Sequence, residues 1–165
     1  MAKSYLTAAR LREVVHYDPE AGVITRLACF QRPDVVGRAP MAHGSHYPRM
    51  AVDGYRYYAH HLAWLYMTGA FPVMEIDHRN GDKSDYRWCN LREVTSTENK
   101  QNQRRAQAGS SSGLLGVSWD TARNKWAARI KVGKVYKYLG RFADKHKASE
   151  AYLIAKRRWH EACEI

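Results

Sequence analysis

The period of the apolar positions changes several times along this chain, and each change predicts an element. Over residues 7–16, Leu11, Val14 and Val15 recur at helical spacing, which predicts a short helix with Thr7 as its cap. Residues 17–22 have turn composition and lead into a strand at Val23, Ile24 and Thr25. Residues 29–48 carry Pro33, Gly37, Pro40, Gly44 and Pro48 and predict irregular chain. His43 and His46 in that stretch read as surface-loop residues, because no third metal ligand lies near them in sequence. Period two returns at Arg49–Val52 and Tyr55–Tyr58 around Asp53-Gly54, a two-residue hairpin signal. HHLAWLYM, residues 60–67, is helical in spacing, with Leu62, Leu65 and Tyr66 on one face, and Gly69 and Pro72 end it. Trp64 belongs with the core.

The run EIDHRNGDKSDYRWCNLREVTSTENKQN, residues 75–102, reads as strand, turn, strand and helix. Residues 75–78 form the first strand, Asn80-Gly81-Asp82 is turn chemistry, and residues 90–94 return as the partner strand. Thr95-Ser96-Thr97-Glu98 has the form of a capping box, so a helix is expected there, with Asn99 in its first turn. Residues 107–113, QAGSSSG, have linker composition. Beyond them the pattern predicts three strands, at 116–119, 126–132 and 135–139, and then a helix from Lys145 to about Ala162, capped by Asp144. Parity places Trp126, Ala128, Ile130 and Val132 on one sheet face and Ala127, Arg129 and Lys131 on the other. The helical stripe Ala148, Ala151, Tyr152, Ala155 and Trp159 covers the apolar face and leaves Arg129, Lys131, Tyr136 and Tyr138 on the open side. The expected fold class is α+β: a first domain over 1–106, a linker over 107–113, and a three-stranded antiparallel sheet with one helix over 114–165.

Charge sharpens this division. The chain carries a formal charge of +11 and a pI near 9.7, which points to a polyanionic partner. Residues 1–99 hold 12 Lys/Arg against 11 Asp/Glu, whereas residues 100–165 hold 15 against 5. The electrostatics therefore sit in the C-terminal part, as for an enzyme with a separate nucleic-acid anchor. Cys29, Cys89 and Cys163 are far apart and form no Cys-x-x-Cys pair, which argues against a disulfide framework or zinc knuckle. Reduced thiols, no apolar signal core and no run of ~20 apolar residues suggest a soluble cytoplasmic protein without a membrane partner.

Within 75–102 the residue types suit phosphodiester hydrolysis. Neutral imidazole at His78 suits a base near neutral pH, while the Asp77 carboxylate and an amide oxygen suit a hard cation that retains several waters. The run resembles the HNH endonucleases of the ββα-metal (His-Me finger) group, particularly the phage and intron homing type. His78, Asn90 and Asn99 match that family's three signature positions, and Tyr86 stands where relatives usually carry asparagine. The resemblance implies His78 as general base, Asp77 and Asn99 as ligands of one Mg²⁺ or Mn²⁺, and Asn90 as a brace that orients His78. A histidine matching His60 also occurs in such relatives, which favours a structural or phosphate-contacting role for His60 and His61.

GVSWDTARNKWAARIKVGKVYKYLGRF resembles the ethylene-response-factor (APETALA-type) DNA-binding domain. That resemblance implies DNA contacts from Ser118, Lys125, Arg129, Lys131, Tyr136 and Tyr138, and the basic run ending at Arg104 and Arg105 suits phosphates. The function expected is a homing or nicking endonuclease acting on double-stranded DNA, with one site per chain, as a monomer or weak dimer. The alternatives are a low-specificity phage nuclease and a non-catalytic DNA-binding regulator.

Overall fold

The first helix forms where apolar spacing and a capping residue coincide. In a computed structural model that describes residues 6–29, 32–41, 47–107 and 109–160, helix α1 spans Ala8–Val14, and Thr7 Oγ1 accepts the Arg10 N–H at 3.1 Å. The expected continuation to residue 16 does not occur, because strand β1, Val15–Asp18, begins at once. Val15 and Tyr17 alternate with exposed His16, so period two buries both side chains where a further helical turn would not. Tyr17 and Asp18 therefore belong to a strand and not to the turn. The turn itself ends at Gly22, before β2, Val23–Arg26.

Gly22 (φ +69°) is held against the rest of its unit. A Cβ there would lie 2.5 Å from the Arg87 backbone nitrogen. The next segment is mostly irregular, as expected, with a 3-10 turn at Pro33–Val35. His43 and His46 lie outside the described residues. Strands β3, Arg49–Val52, and β4, Tyr55–Tyr58, pair in the predicted register, with Asp53 and Gly54 both at positive φ as a type I′ turn requires. Helix α2, Ala59–Thr68, buries Leu62, Ala63 and Leu65, and left-handed Gly69 closes it through an N–H bond to the Leu65 carbonyl. Strands β5, Glu75–His78, and β6, Leu91–Val94, form the third antiparallel pair. Asn90, expected in that second strand, instead ends a 3-10 turn, Trp88–Asn90.

The chain divides into two compact units, Met1–Thr95 and Ser96–Ile165, so the division falls at the start of the third helix. Leu11, Val15, Ile24, Val52, Leu62 and Leu65 are the largest fully buried side chains of the first unit's core. Each contributes about 1.5–3 kcal/mol by leaving water.

The second unit begins with α3, Ser96–Gln101, where the capping-box pattern placed a helix. Its sheet has the order β7 (Val117–Asp120), β8 (Lys125–Val132), β9 (Val135–Phe142), all antiparallel. Strand β9 runs three residues further than expected. A register shift opposite Ala128/Arg129 leaves Leu139 as the extra residue, so both Leu139 and Phe142 reach the core. Helix α4, Lys145–Trp159, starts at the predicted cap, since Asp144 Oδ1 accepts from His146 N at 2.7 Å and Lys147 N at 2.9 Å. It stops at Trp159, before the expected end near Ala162, with His160 as its C-cap. Ala148, Tyr152 and Ala155 face the sheet. Lys156 is also buried, and its Nζ bonds the Gln103 carbonyl, which the apolar stripe did not anticipate. No helix among the described residues is long and apolar enough to cross a membrane.

Candidate active site

Strand β5 presents Asp77 and His78 on alternate sides of its pleat, and both are buried. The register sets Asp77 opposite Arg92 and His78 opposite Leu91. Arg92 accordingly donates to Asp77 Oδ2 from Nε at 3.0 Å and Nη2 at 2.8 Å. The loop that follows is closed by Asn90. Its Oδ1 accepts the Asn80 N–H at 2.9 Å, and its Nδ2 donates to the Asp85 carbonyl at 2.9 Å. The backbone agrees, with Arg79 N–H on the Asn90 carbonyl at 2.9 Å and Gly81 N–H on the His78 carbonyl at 2.8 Å. Asn90 thus ties both ends of the loop behind His78, and the tight turn at Asn80-Gly81 sets its exit.

The loop is also pinned to the N-terminal hairpin. Tyr17 donates its hydroxyl to the Tyr86 carbonyl at 2.5 Å, and Trp88 N–H reaches the Pro19 carbonyl at 2.8 Å. Tyr86, the residue that departs from the family pattern, is a buried wall whose ring centroid lies 6.3 Å from that of His78. Tyr47 stacks on the His78 ring at 6.1 Å, and His60 meets it edge-on at 5.2 Å. Burial is the main influence on His78 and lowers its pKa, while Asp77, Asp82 and Asp85 pull the other way and Lys83 adds to the lowering. Burial, then His61 and His78, hold His60 down at about 2. Both rings are therefore neutral near pH 7. A ring only 5 % exposed is no phosphate contact, so the structural reading of His60 is the one that fits.

Asn99 lies in α3 of the second unit, in its first turn. Among the described residues no group of three or more His, Cys, Asp or Glu side chains gathers to hold a metal. The carboxylate of Asp77 fits one oxygen ligand of a Mg²⁺-type cation, which needs few protein ligands. Arg92 shares that carboxylate, a partnership set by the register of β5 against β6 and not named from the sequence.

In the second unit the register brings Ser118, Lys125, Arg129, Lys131, Tyr136 and Tyr138 onto one sheet face. Lys131 Nζ sits 5.6 Å from the Tyr136 ring centroid. Arg141, missed from sequence, shares the face, with Nε 2.7 Å from Asp120 Oδ2 and its guanidinium 5.2 Å from the Tyr138 ring centroid. Arg104 and Arg105 are exposed in irregular chain just after α3.

Residues 57–101 match the model of a family described as HNH endonuclease. The match runs from β4 to the end of α3, a little over a quarter of the chain, and includes Asp77, His78, Asn90 and Asn99. It supports an HNH nuclease domain in that stretch. No curated protein and no solved structure gives a significant match.

Proposed function

We propose that this protein is a metal-dependent endonuclease of the HNH type that hydrolyses phosphodiester bonds of double-stranded DNA. The observation that carries the reading is His78, a buried and neutral imidazole beside Asp77 on the strand that the family match includes. Neutral His78 takes a proton from the attacking water as the water oxygen bonds to phosphorus. The bond to the 3′-oxygen breaks, and that oxygen leaves as a hydroxyl once protonated from solvent. Asp77, with Asn99 as the second ligand that the family resemblance implies, would hold a divalent cation, Mg²⁺ or Mn²⁺, and that ion would supply Lewis-acid stabilisation of the phosphate and departing oxygen. Asn90 holds the loop from which His78 projects, and the Tyr47, His60 and Tyr86 rings fix the imidazole plane. Arg92 screens Asp77 from the substrate phosphate.

The second unit serves as the anchor. Its sheet face carries Lys125, Arg129, Lys131 and Arg141 beside exposed Tyr136 and Tyr138, a mixture suited to phosphates and bases. One motif gives one active site, so a monomer nicks one strand. Discrete nick sites, as for a homing enzyme of a phage, are the specific form of this reading.

Plasmid nicking across a series of divalent metals tests it. Wild type converts supercoiled plasmid to open circles, and His78→Ala slows this by about 100-fold or more. If both leave the plasmid intact while both still bind it, the protein is a DNA-binding regulator and the nuclease reading is lost.

A further inference from the structure

The first unit looks nearly balanced in charge, with twelve Lys/Arg against ten Asp/Glu over residues 1–95. Its basic side chains are nevertheless concentrated. Six of the twelve, Arg10, Arg26, Arg32, Arg38, Arg49 and Arg56, line one groove of about 1330 Å³. Three carboxylates oppose them. Asp53 takes Arg10 Nε and Nη2 at 2.9 and 3.0 Å, with Glu13 on Nη1 at 2.8 Å. Asp34 takes Arg32 at 2.9 and 2.8 Å and lies 3.6 Å from Arg38. Six guanidinium groups against three carboxylates leave the groove cationic.

The arginines have separate duties. Buried Arg26 bonds the Ala51 carbonyl and holds the wall together. Arg49 lies over the Tyr58 ring at 4.4 Å and donates to its hydroxyl at 2.7 Å. Arg38 and Arg56 are exposed, and Arg56 has no ion pair among the described residues. The groove also reaches the candidate active site, because Tyr47 lines it and stacks on His78. Tyr58, beneath Arg49, stacks in turn on His60 at 5.4 Å.

Charges placed on the segment between β2 and β3 and on the β3–β4 hairpin suit a chain of phosphates better than a single one. We propose that this groove binds the phosphate backbone of the DNA strand flanking the scissile bond, independently of the sheet face of the second unit. Only the placement beside the scissile bond rests on the nuclease reading.

The test uses the full chain with His78→Ala in all samples, so that DNA is not consumed. Binding of a labelled duplex is followed by fluorescence anisotropy across a salt series, with and without Arg38→Ala/Arg56→Ala. Removing one cation that neutralises a phosphate should reduce the slope of log K against log salt by about 0.9, so the pair should reduce it by up to about 1.8. Affinity should fall roughly tenfold or more near ~0.1 M salt on the same basis. Arg38→Lys/Arg56→Lys should restore both quantities, which separates charge from folding. Unchanged slope and affinity in the alanine pair overturn the proposal, as does a loss that the lysine pair fails to restore. If wild type never nicks plasmid while the slope falls as expected, the nuclease reading fails and the groove stands. Nicking with an unchanged slope removes the groove alone.

Discussion

His78 and His60 resist protonation because charging either ring means placing a cation in a buried cluster of aromatic side chains. An unfolded chain carries no such penalty, so its histidines titrate near 6.5. As pH falls below that value the unfolded state binds more protons than the folded one, and stability declines; above it the contribution of these rings is complete. For His60, whose folded value is about 2, the loss should continue through the whole acid range. Melting temperature should therefore drop between pH 7 and pH 5, with each ring adding up to ~1.4 kcal/mol per pH unit. His60→Phe should flatten that decline, and an unchanged slope would contradict the burial argument. Because the His78 pKa is also lowered, the nicking rate should begin to fall at a lower pH than it would with an ordinary histidine as the base. Asp77, His78 and Asn90 were legible as residue types at a family spacing. Arg92 was not, since its role depends on which residue of β5 it faces across the hairpin.

Elements other than the β5–β6 hairpin fix the geometry of its loop. Tyr17 and Pro19 hold the backbone at Tyr86 and Trp88, and the Trp64 and Trp88 rings meet at 5.0 Å. Gly22 packs against the Tyr86–Arg87 backbone in the same contact. Gly22→Ala should destabilise the protein by about 1–3 kcal/mol, through both positive φ and a clash with Arg87 backbone. Urea unfolding measures the first effect. A slower nicking rate in the folded variant would show that the loop is positioned from the N-terminus. Such dependence was not readable along the chain, because residues 17–22 and 86–88 are brought together only by tertiary packing. The β3–β4 hairpin was readable in full, because Asp53-Gly54 restricts the turn to a geometry that fixes the register of both strands. The end of α1 was not, because Val14 and Val15 satisfy either period until the burial of Tyr17 decides.

The two units differ in how their charge is distributed. Residues 96–165 hold fifteen Lys/Arg against six Asp/Glu, and the register gathers several of these cations on one sheet face. Arg129→Ala/Lys131→Ala should lower DNA affinity and reduce the salt slope by up to about 1.8, read by the same anisotropy titration. An unchanged slope would mean that the face is solvated and idle. Overall composition disclosed this bias, whereas the groove of the first unit was hidden by a nearly neutral sum. Only folding shows that half of the unit's cations share one concavity.

The pairing of Arg92 with Asp77 also bears on how the protein rests between reactions. Left unpaired, the buried Asp77 carboxylate would carry a desolvation cost, yet a guanidinium at 2.8 Å already compensates it. Chelation should accordingly leave a quiescent protein that is intact and reactivates on remetallation. The melting temperature in EDTA should lie only slightly below that in Mg²⁺, and Arg92→Leu should widen the gap.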